Sequence, residues 1–287
     1  MSDVLQTLLN LLDLEKLEAD LLRGHGPKSD RPRVFGGHVI GQALVAASRT
    51  VDGRRPHSLH AYFMRPGDPS VPIIYDVDLL RDGRSFSTRN VVARQHGRPI
   101  YQMAVSFMTA EEHFDHQTDM PDVPGPDDLP SEKDRREALV HLLPEADRPR
   151  FLSERAIEIR PIDAPSPPIH EPREPMRRYW ARTLKTLPAD FTQHDCVLAY
   201  ASDMTIAETA LAPHGQTWYS DEVVTASLDH SMWFHRDFRA DEWLLFDQWA
   251  PSAKGGRGLN FGNIFTRDGR LVASMTQEGM IRKRRDD

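Results

Sequence analysis

One sequence pattern decides the fold of this chain, and it occurs twice: Thr88-Arg-Asn-Val-Val-Ala-Arg-Gln-His-Gly-Arg-Pro-Ile-Tyr-Gln-Met-Ala-Val-Ser-Phe107 and Leu259-Asn-Phe-Gly-Asn-Ile-Phe-Thr-Arg-Asp-Gly-Arg-Leu-Val-Ala-Ser-Met-Thr-Gln277. In each copy, two alternating runs flank a turn, with His96-Gly97 in the first and Asp268-Gly269 in the second. Glycine adopts positive φ without steric cost, so such a pair between alternating runs predicts an antiparallel hairpin. We therefore expect hairpins with closely matching turns over residues 83–108 and 256–281, and two related domains.

One residue distinguishes the second hairpin from the first. Gln277 lies at the position where the first copy has the apolar Val105. A polar side chain that occurs on only one of two equivalent hairpins is a candidate for chemistry. Gln277 is therefore the first candidate functional residue.

The order of the other elements supports a duplication. The N-terminal residues predict an amphipathic helix. Residues 34–48 predict a glycine-started helix that is apolar on nearly all sides, which is typical of a buried helix. In the second half the corresponding helix is expected over residues 203–211. Strands are expected over 57–65, 73–81, 85–96 and 99–108, and again over 223–234, 243–249, 259–266 and 270–282. A helix followed by an antiparallel sheet, twice, indicates an α+β fold.

A proline-rich stretch separates the two halves. Residues 121–175 hold 12 of the 22 prolines of the chain. Proline fixes φ and removes a hydrogen-bond donor, so the stretch is predicted to be a linker, interrupted at most by a short helix over 132–143. The expected division is a first domain over 1–115, a linker over 116–176 and a second domain over 177–287.

Composition excludes several classes of function. The chain has 287 residues, 39% of them hydrophobic, and a net charge of −7, which gives no footprint for nucleic acid; the basic run Arg282–Arg285 is interpreted as a solvated tail. The single cysteine, Cys196, rules out an internal disulfide. No apolar stretch approaches the roughly 20 residues of a membrane span. The first residues lack the features of a signal peptide and the last three, Arg-Asp-Asp, lack a peroxisomal address, so we expect a cytoplasmic protein.

The common catalytic and cofactor motifs are absent from the sequence. There is no Gly-x-Ser-x-Gly elbow and no Walker loop. Gly36-Gly37-His38-Val-Ile-Gly41 departs from the dinucleotide fingerprint, and its glycines are better explained by close packing of a helix on a sheet. The histidine pairs His57/His60 and His230/His235 have no metal-ligand context, and their odd spacing on a strand predicts opposite faces. We expect neither a metal nor an organic cofactor.

Four motifs resemble those of a known family, the type II acyl-coenzyme A thioesterases. The resemblance covers nearly the whole chain and weakens only in the linker. It implies a double hotdog fold, in which two tandem units each have a central helix wrapped by a curved antiparallel sheet. The motifs are Val34-Phe-Gly-Gly-His-Val-Ile-Gly-Gln-Ala-Leu44, His57-Ser-Leu-His-Ala-Tyr-Phe-Met-Arg-Pro-Gly-Asp68, Arg81-Asp-Gly-Arg-Ser-Phe86 and Asp229-His-Ser-Met-Trp-Phe-His-Arg236.

The resemblance also implies an active site and a substrate. In this family an Asp, a hydroxyl and a Gln hold a water that attacks an acyl-CoA thioester, and by position these are Asp203, Ser227 and Gln277. The family more often has threonine at the position of Ser227, and Thr225, on the same strand face, remains an alternative. His38 stands where the family commonly has glutamine. The resemblance further implies that a helix N-terminus stabilises the oxyanion and that the protein is a homodimer or larger oligomer.

Other interpretations of the same residues remain open. On local sequence alone, Asp203 is interpreted as a residue whose negative charge stabilises a helix N-terminus, because the capping-box pattern Thr205-x-x-Glu208 follows it in the sequence. The adjacent Asp229 and His230 face opposite sides of a strand and form no simple dyad without a bulge. The alternative functions are a non-catalytic acyl-CoA sensor and a hotdog hydratase or dehydratase. Packing in the core is favoured over an acyl tunnel for four aromatic residues, Trp233, Phe234, Trp243 and Trp249.

Overall fold

A computed structural model describes residues 4–26, 32–162, 171–217, 220 and 222–284. The end of the basic run, the C-terminal residues and part of the proline-rich stretch lie outside these ranges. Single 3₁₀ turns lie at Pro126–Asp128, Val140–Leu142, Glu145–Asp147 and Ala212–His214. The helices are α1 Val4–Leu12, α2 Gly36–Ser48, α3 Glu132–Leu139, α4 Arg148–Phe151, α5 Phe191–Ser202 and α6 Ile206–Thr209. The strands are β1 Glu15–Lys16, β2 Leu21–Gly24, β3 Arg55–Phe63, β4 Ile73–Asp82, β5 Phe86–Gln95, β6 Arg98–Met108, β7 Ile157–Pro161, β8 Met176–Thr183, β9 Val223–Ser227, β10 Asp229–Phe234, β11 Leu244–Lys254, β12 Arg257–Thr266 and β13 Leu271–Lys283.

The two halves share one continuous antiparallel sheet. The first half contributes the order β1-β2-β4-β5-β6-β3 and the second half β10-β13-β12-β11-β8-β7, while β9 pairs with β13. β3 and β10 join the halves, with His60 opposite Ser231 and Leu59 opposite Met232. Each half thus has a long helix and an antiparallel sheet, and the predicted α+β class is confirmed.

The long helices of the two halves, α2 and α5, pack directly against each other. A Cβ atom at Gly37 would lie 2.3 Å from the carbonyl oxygen of Tyr200, and one at Gly41 would lie 3.4 Å from that of Cys196. Only glycine at position 37 permits this close approach of two helix backbones. The expectation of helix–sheet packing was wrong for Gly37, whose closest partner is in α5, whereas a Cβ at Gly36 would lie 3.1 Å from the ring of Phe63 in β3.

The prediction that residues 203–211 form the long helix of the second half was also wrong, since only the one-turn helix α6 lies there. The long helix of the second half is α5, which begins after Asp190, whose carboxylate accepts a hydrogen bond of 2.9 Å from the N–H of Thr192, and ends before Asp203. The apolar pattern of α5 is interrupted by His194 and Asp195, yet both are completely buried. Buried polar residues mask the hydrophobic periodicity from which a helix is normally predicted.

Asp195 forms an ion pair that crosses between the halves. Both of its carboxylate oxygens accept hydrogen bonds from Arg55 of β3, at 3.1 and 2.6 Å. Arg55 also pairs with the exposed Asp237. The side chain of Asp195 is fully buried, and this burial raises the pKa of its carboxyl to about 6 against the opposing effect of Arg55. The paired Asp195 thus holds α5 against the first half.

The two hairpin turns differ in conformation, contrary to the expected match. In the first, His96 and Gly97 have φ values of 48° and 71°, as in a two-residue type I′ turn. Of the second turn only Gly269 has a positive φ, 88°, and the register shifts between Ile264 and Phe265. The local Asp-Gly pattern signals a hairpin but does not fix which turn closes it.

The proline-rich stretch contains ordered structure that the sequence did not predict. β7 lies within it and pairs with β8, placing Ile157 opposite Thr183. The indole N–H of Trp180 donates a 2.9 Å hydrogen bond to the carbonyl of Pro124. The stretch thereby covers one face of the sheet in the second half, where a small second core forms from Trp180, Trp243, Leu245 and Phe265 with Met120, Val123, Leu129 and Ile162.

The four aromatic residues expected in the core have different surroundings. Trp243 belongs to the second core, and Phe234 packs on the main core. Trp249 stacks on Phe261 with ring centroids 5.7 Å apart. Trp233 is 36% exposed and contacts His60 edge-on, so the prediction of core packing is wrong for this residue.

Among the helices of the described residues, none is both long and apolar enough to cross a membrane.

Candidate active site

Asp203 lies at the end of a helix and not at the start of one. It is the C-cap of α5, with φ −86° and ψ −4°, and is only 5% exposed. The next helix, α6, has Thr205 as its N-cap, but this side chain makes no capping bond and donates instead to the phenol oxygen of Tyr179 at 2.8 Å. The capping interpretation of Asp203 was therefore wrong, because Asp203 ends α5 and the next helix, α6, begins only at Ile206 with Thr205 as its N-cap.

The three site residues predicted from the family resemblance lie together. The hydroxyl of Ser227 donates a 3.1 Å hydrogen bond to Oδ1 of Asp203. The amide Nε2 of Gln277 donates a 3.0 Å hydrogen bond to Oγ of Ser227. Gln277 is completely buried, and Val105, at the equivalent position of the first hairpin, is only 1% exposed. The two equivalent positions therefore both lie in the interior. A directed chain of polar groups thus leads from Gln277 to the carboxylate.

A break between two strands brings Ser227 to this position. β9 ends at Ser227 and β10 begins at Asp229, with Leu228 between them. The N–H of Leu228 donates to the carbonyl of Glu278 at 2.9 Å, and its own carbonyl accepts from the N–H of Phe63 at 2.9 Å. Ser227 therefore stays paired with β13, opposite Gly279, while the chain beyond it pairs also with β3 of the first half.

The first half contributes the N-terminus of α2 to the site. The backbone N–H of Gly37 helps to lower the pKa of the Asp203 carboxyl. A Cβ atom at Gly36 would lie 2.5 Å from Oδ2 of Asp203 and 3.1 Å from the ring of Phe63. The two glycines therefore let the positive end of the helix dipole reach the carboxylate. The sequence contains this signal as Gly36-Gly37 at a predicted helix start, but it does not show what the helix end would meet.

Burial dominates the electrostatics of the site. It raises the pKa of Asp203 to about 6, in opposition to the hydrogen bonds from Ser227, Gln277 and Gly37 and to the charge of Arg33. The carboxylate is then mostly ionised at pH 7 but is a stronger base than an exposed aspartate.

Asp203 also acts electrostatically on the buried Tyr101. Burial raises the pKa of Tyr101 well above its ordinary value, and the charge of Asp203 adds to this effect. The ring of Phe63 lies 5.0 Å from that of Tyr101. Tyr101 and Phe63 come from the first half and were not predicted as site residues.

Thr225 and His38 lie away from the carboxylate. Within the described residues, the hydroxyl of Thr225 makes no hydrogen bond to Asp203 or Gln277, and its carbonyl accepts from Arg33. His38 is buried on the side of α2 that faces Gly26, where a Cβ would lie 3.2 Å from its ring. Burial lowers the pKa of His38 to about 4. Ser227 is thus the hydroxyl that contacts Asp203.

Asp229 and His230 do not form a dyad. Asp229 Oδ1 accepts a 2.7 Å hydrogen bond from the N–H of Glu278. His230 lies 2.6 Å, through Nδ1, from Oε1 of Gln277. The acid–base pair that hydration of an acyl thioester needs is therefore not made by these neighbours. The sequence contained His230 as a candidate but gave no signal that its partner is Gln277.

A bulge alters the expected orientation of the other histidine pair. The register of β3 shifts between Pro56 and Ser58, and His57 lies 2.8 Å from the hydroxyl of Ser106, whereas His60 lies 3.1 Å from that of Ser231. Burial lowers the pKa of His57, and the electrostatic effect of His60 adds to it. His57 and His60 therefore share a face, and the expectation of opposite faces was wrong because the bulge adds one residue to the alternation.

Comparison with known protein families gives two matches that together span most of the chain. Residues 159–280 match the model of a family described as acyl-CoA thioesterase. Residues 25–108 match that of the acyl-CoA thioesterase N-terminal domain. The first match contains all three residues of the polar chain at Asp203, and the second contains the glycines of α2.

Two named relatives are similar over nearly their full length. Acyl-CoA thioesterase 2 of Haemophilus influenzae is 41% identical over 284 residues, covering 98% of this chain and 99% of the relative. Acyl-coenzyme A thioesterase 8 of Homo sapiens is 42% identical over 282 residues, covering 95% of this chain and 88% of the relative.

Solved structures support the same assignment. The crystal structure of an acyl-CoA thioesterase II from Mycobacterium marinum has a TM-score of 0.78 and 42% identity, and covers 97% of this chain and 98% of that chain. A hot dog fold protein from Alicyclobacillus acidocaldarius, 20% identical, has a TM-score of 0.75 and covers 95% of this chain and 97% of that chain. The predicted double hotdog fold is confirmed, and the chain belongs to the acyl-CoA thioesterase family.

Proposed function

We propose that this chain hydrolyses acyl-CoA with a water molecule that Asp203 activates and that Ser227 and Gln277 orient. Membership of the acyl-CoA thioesterase family makes the reaction the conversion of an acyl-CoA to a free fatty acid and coenzyme A. The observation that carries the mechanism is the hydrogen-bonded sequence Gln277–Ser227–Asp203 around a buried carboxylate.

Asp203 acts as the general base in this proposal. Water is a poor nucleophile, and a carboxylate within hydrogen-bond distance accepts its proton while the oxygen attacks the thioester carbonyl. General base catalysis of this kind contributes on the order of a hundred- to ten-thousand-fold. A pKa of about 6 suits the task because it combines an ionised group at neutral pH with increased basicity.

Ser227 and Gln277 supply orientation and do not react. Both are neutral, so neither competes with Asp203 for the proton of the water. Their hydrogen bonds to each other and to Asp203 fix the carboxylate before the substrate arrives. Fixing a nucleophile in advance removes part of the entropic barrier of the reaction.

The N-terminus of α2 supplies positive potential next to the reacting group. As water adds, the thioester oxygen gains negative charge, and the adjacent helix dipole stabilises it. The N–H of Gly37 acts on the carboxylate of Asp203, so the contribution of α2 to the oxyanion is through its dipole.

The decisive experiment measures thiol release from saturated acyl-CoA substrates of increasing chain length. The parent protein is compared with Asp203→Asn at matched folded concentration, with ligand binding measured in parallel. We expect the variant to bind but to lose at least a hundredfold in kcat. A parent that binds acyl-CoA without releasing thiol would support the sensor function instead. Addition of water to an unsaturated acyl-CoA without thiol release would support a hydratase.

Three further properties are part of the proposal. The chain divides into domains over 1–115 and 177–287 with a linker over 116–176. The positions of the two family matches support this division, except that β7 extends the second unit into the linker.

The protein is a homodimer or larger oligomer in the cytoplasm. Sedimentation velocity at several concentrations tests the oligomer, and a single monomeric species would contradict it.

A further inference from the structure

Two buried residues extend the polar chain beyond Gln277. The ring of His230 lies 2.6 Å, through Nδ1, from Oε1 of Gln277. Its other nitrogen, Nε2, lies 2.9 Å from the hydroxyl of Ser202. His230, Ser202 and Gln277 all have zero exposure, so no solvent reaches this part of the chain. Ser202 directly precedes Asp203. The polar groups therefore begin and end at the C-terminus of α5 and pass through three strands, with His230 in β10, Gln277 in β13 and Ser227 in β9.

The direction of each hydrogen bond follows from the ionised Asp203. A carboxylate can only accept, so the proton of the Ser227 hydroxyl points to Asp203. The oxygen of Ser227 then accepts from Gln277, which places Nε2 of the amide toward Ser227 and Oε1 toward His230. The carbonyl oxygen of Gln277 can only accept, and Nδ1 of His230 must carry the proton.

The ring of His230 is neutral in this arrangement. Burial lowers the pKa of His230 to about 4, against the opposing hydrogen bond to Gln277. With the proton on Nδ1, Nε2 is an acceptor, and it faces the hydroxyl of Ser202. That hydroxyl also lies 2.9 Å from the carbonyl of Ala199. Because Ser202 has a single hydroxyl proton, the Nδ1–H tautomer requires that proton to point to Nε2 of His230 and not to the carbonyl of Ala199.

We propose that His230 is a positioning residue for hydrolysis: its Nδ1–H holds the carbonyl of Gln277 and thereby keeps the amide N–H groups of Gln277 turned toward Ser227 and Asp203. An amide in the opposite orientation would direct N–H against N–H at His230. It would also leave the Ser227 oxygen facing an acceptor. His230 is separated from Asp203 by Gln277 and Ser227, so it does not touch the reacting atoms. The inference rests on the proposed function of Asp203, Ser227 and Gln277.

Two substitutions of His230 separate orientation from packing. In His230→Asn an amide nitrogen occupies nearly the place of Nδ1, whereas in His230→Gln the amide lies one bond further out, near the place of Nε2. We expect His230→Gln to lower kcat by about 10- to 100-fold with little change in KM, because an amide that is not held loses part of its orienting effect. We expect His230→Asn to recover most of this loss. Both variants place a buried amide at position 230. Similar thermal stabilities of the two variants would show that a difference in kcat does not arise from packing.

The pH profile of kcat/KM gives a second readout that a purely structural role would not change. The hydrogen bond from Gln277 helps to lower the pKa of Asp203. Loss of its orientation in His230→Gln should therefore move the acid limb to higher pH, and His230→Asn should return it toward the parent. Equal kcat values and equal acid limbs in the two variants would overturn the positioning role.

A measurement on the parent protein avoids the risk that a variant does not fold. The ¹⁵N chemical shifts of His230 should show a protonated Nδ1 and an unprotonated Nε2 between pH 5 and pH 8, as expected for a ring whose pKa is about 4. The opposite tautomer, or a doubly protonated ring, would overturn the inference. Asp203→Asn is assayed alongside. If it keeps the parental rate, the proposed function fails. If it is inactive while His230→Gln and His230→Asn have equal kcat values and equal acid limbs, only the positioning role is refuted.

Discussion

The backbone N–H of Gly37 lies beside the carboxylate of Asp203 and helps to lower its pKa, and these two residues belong to different halves of the chain. Gly37 lies in the first turn of α2 and Asp203 caps the end of α5. The base is therefore positioned by both halves, although the three residues of the polar chain come from the second. This arrangement requires the two helices to approach without side chains between them, as the glycines of α2 allow.

Substitution of Gly36 tests this contact. In Gly36→Ala the new methyl group would lie 2.5 Å from Oδ2 of Asp203, a distance that real Cβ contacts do not show. We expect the carboxylate to move and kcat to fall by about a hundredfold, as for other displacements of reacting groups. Steady-state kinetics with acyl-CoA measures the effect. Gly125→Ala is a matched control, because Gly125 has a φ of −65° and the nearest atom would lie 3.7 Å away. Equal activity of the two variants would contradict the contact.

The pKa of Asp203 predicts the pH dependence of the reaction. The base must be deprotonated, so kcat/KM should rise with pH through an acid limb near the pKa of about 6 and then reach a plateau. The limb reports Asp203 in the free enzyme when substrate concentrations are well below KM. A profile that stays flat from pH 5 to pH 8 would assign the proton transfer to another group.

Removal of the buried charge should stabilise the fold at neutral pH. The pKa of Asp203 is higher in the folded protein, about 6, than its ordinary value of 3.8, so the folded state binds the proton more tightly. The favourable contribution to stability is present below pH 4 and is lost as pH rises to about 6. Asp203→Asn should therefore increase the free energy of unfolding at pH 7 by about 1–3 kcal/mol. Denaturant unfolding at pH 7 and pH 4 measures the difference, which should shrink at pH 4; an equal or lower stability at pH 7 would be the contrary result.

The hydroxyl at position 227 should be more important than the one at position 225. Ser227→Ala removes the bond to Asp203 and should reduce kcat by about tenfold or more. Ser227→Thr keeps the hydroxyl and adds a methyl group that restricts its rotamer, so we expect most of the activity to remain. Thr225→Ala is the matched control on the same strand. If it reduced kcat as much as Ser227→Ala, the hydroxyl at position 225 would share the role.

The ion pair between Arg55 and Asp195 should contribute strongly to stability but not to the chemistry. Arg55→Met leaves a fully buried carboxylate without its partner and should cost about 3 kcal/mol in unfolding free energy at pH 7. The pKa of Asp195, already about 6, should rise further, so the loss should decrease as pH falls toward 5. Chemical denaturation at both pH values measures this. Adding Asp195→Asn to Arg55→Met should restore part of the stability, and failure to do so would show that the cost arises elsewhere.

Local sequence predicted the hairpins and the strands around them well. Alternation of apolar residues and residue-Gly turns are short-range signals, and β4, β5, β6 and β12 lie within about two residues of the expected ranges. Where the chain buries polar residues, the same signals fail. In α5, His194 is completely buried because Nδ1 accepts from the N–H of Ala240 at 2.9 Å and Nε2 faces the carbonyl of Pro188 at 3.1 Å. Ala240 is 46 residues away in sequence, and this partner was therefore not predictable.

The site was predicted in part. Asp203, Ser227 and Gln277 followed from a resemblance that spans the chain, and the structure places them in hydrogen-bond contact. The first-half contribution of Gly36 and Gly37 was missed, because a glycine pair at a helix start does not identify its partner helix. His230 was missed as a partner of Gln277 because pairing across strands depends on the break at Leu228.

The hydrogen bonds between β3 and β10 join the halves independently of the peptide connection. The ion pair of Arg55 with Asp195 and the contact of Gly37 with Asp203 cross the same boundary. A chain opened by a protease within residues 110–120, where no helix or strand lies, should therefore remain a single particle in gel filtration and retain turnover. Two separately expressed fragments should reassemble into an active enzyme, whereas each fragment alone would expose an unpaired strand edge and aggregate.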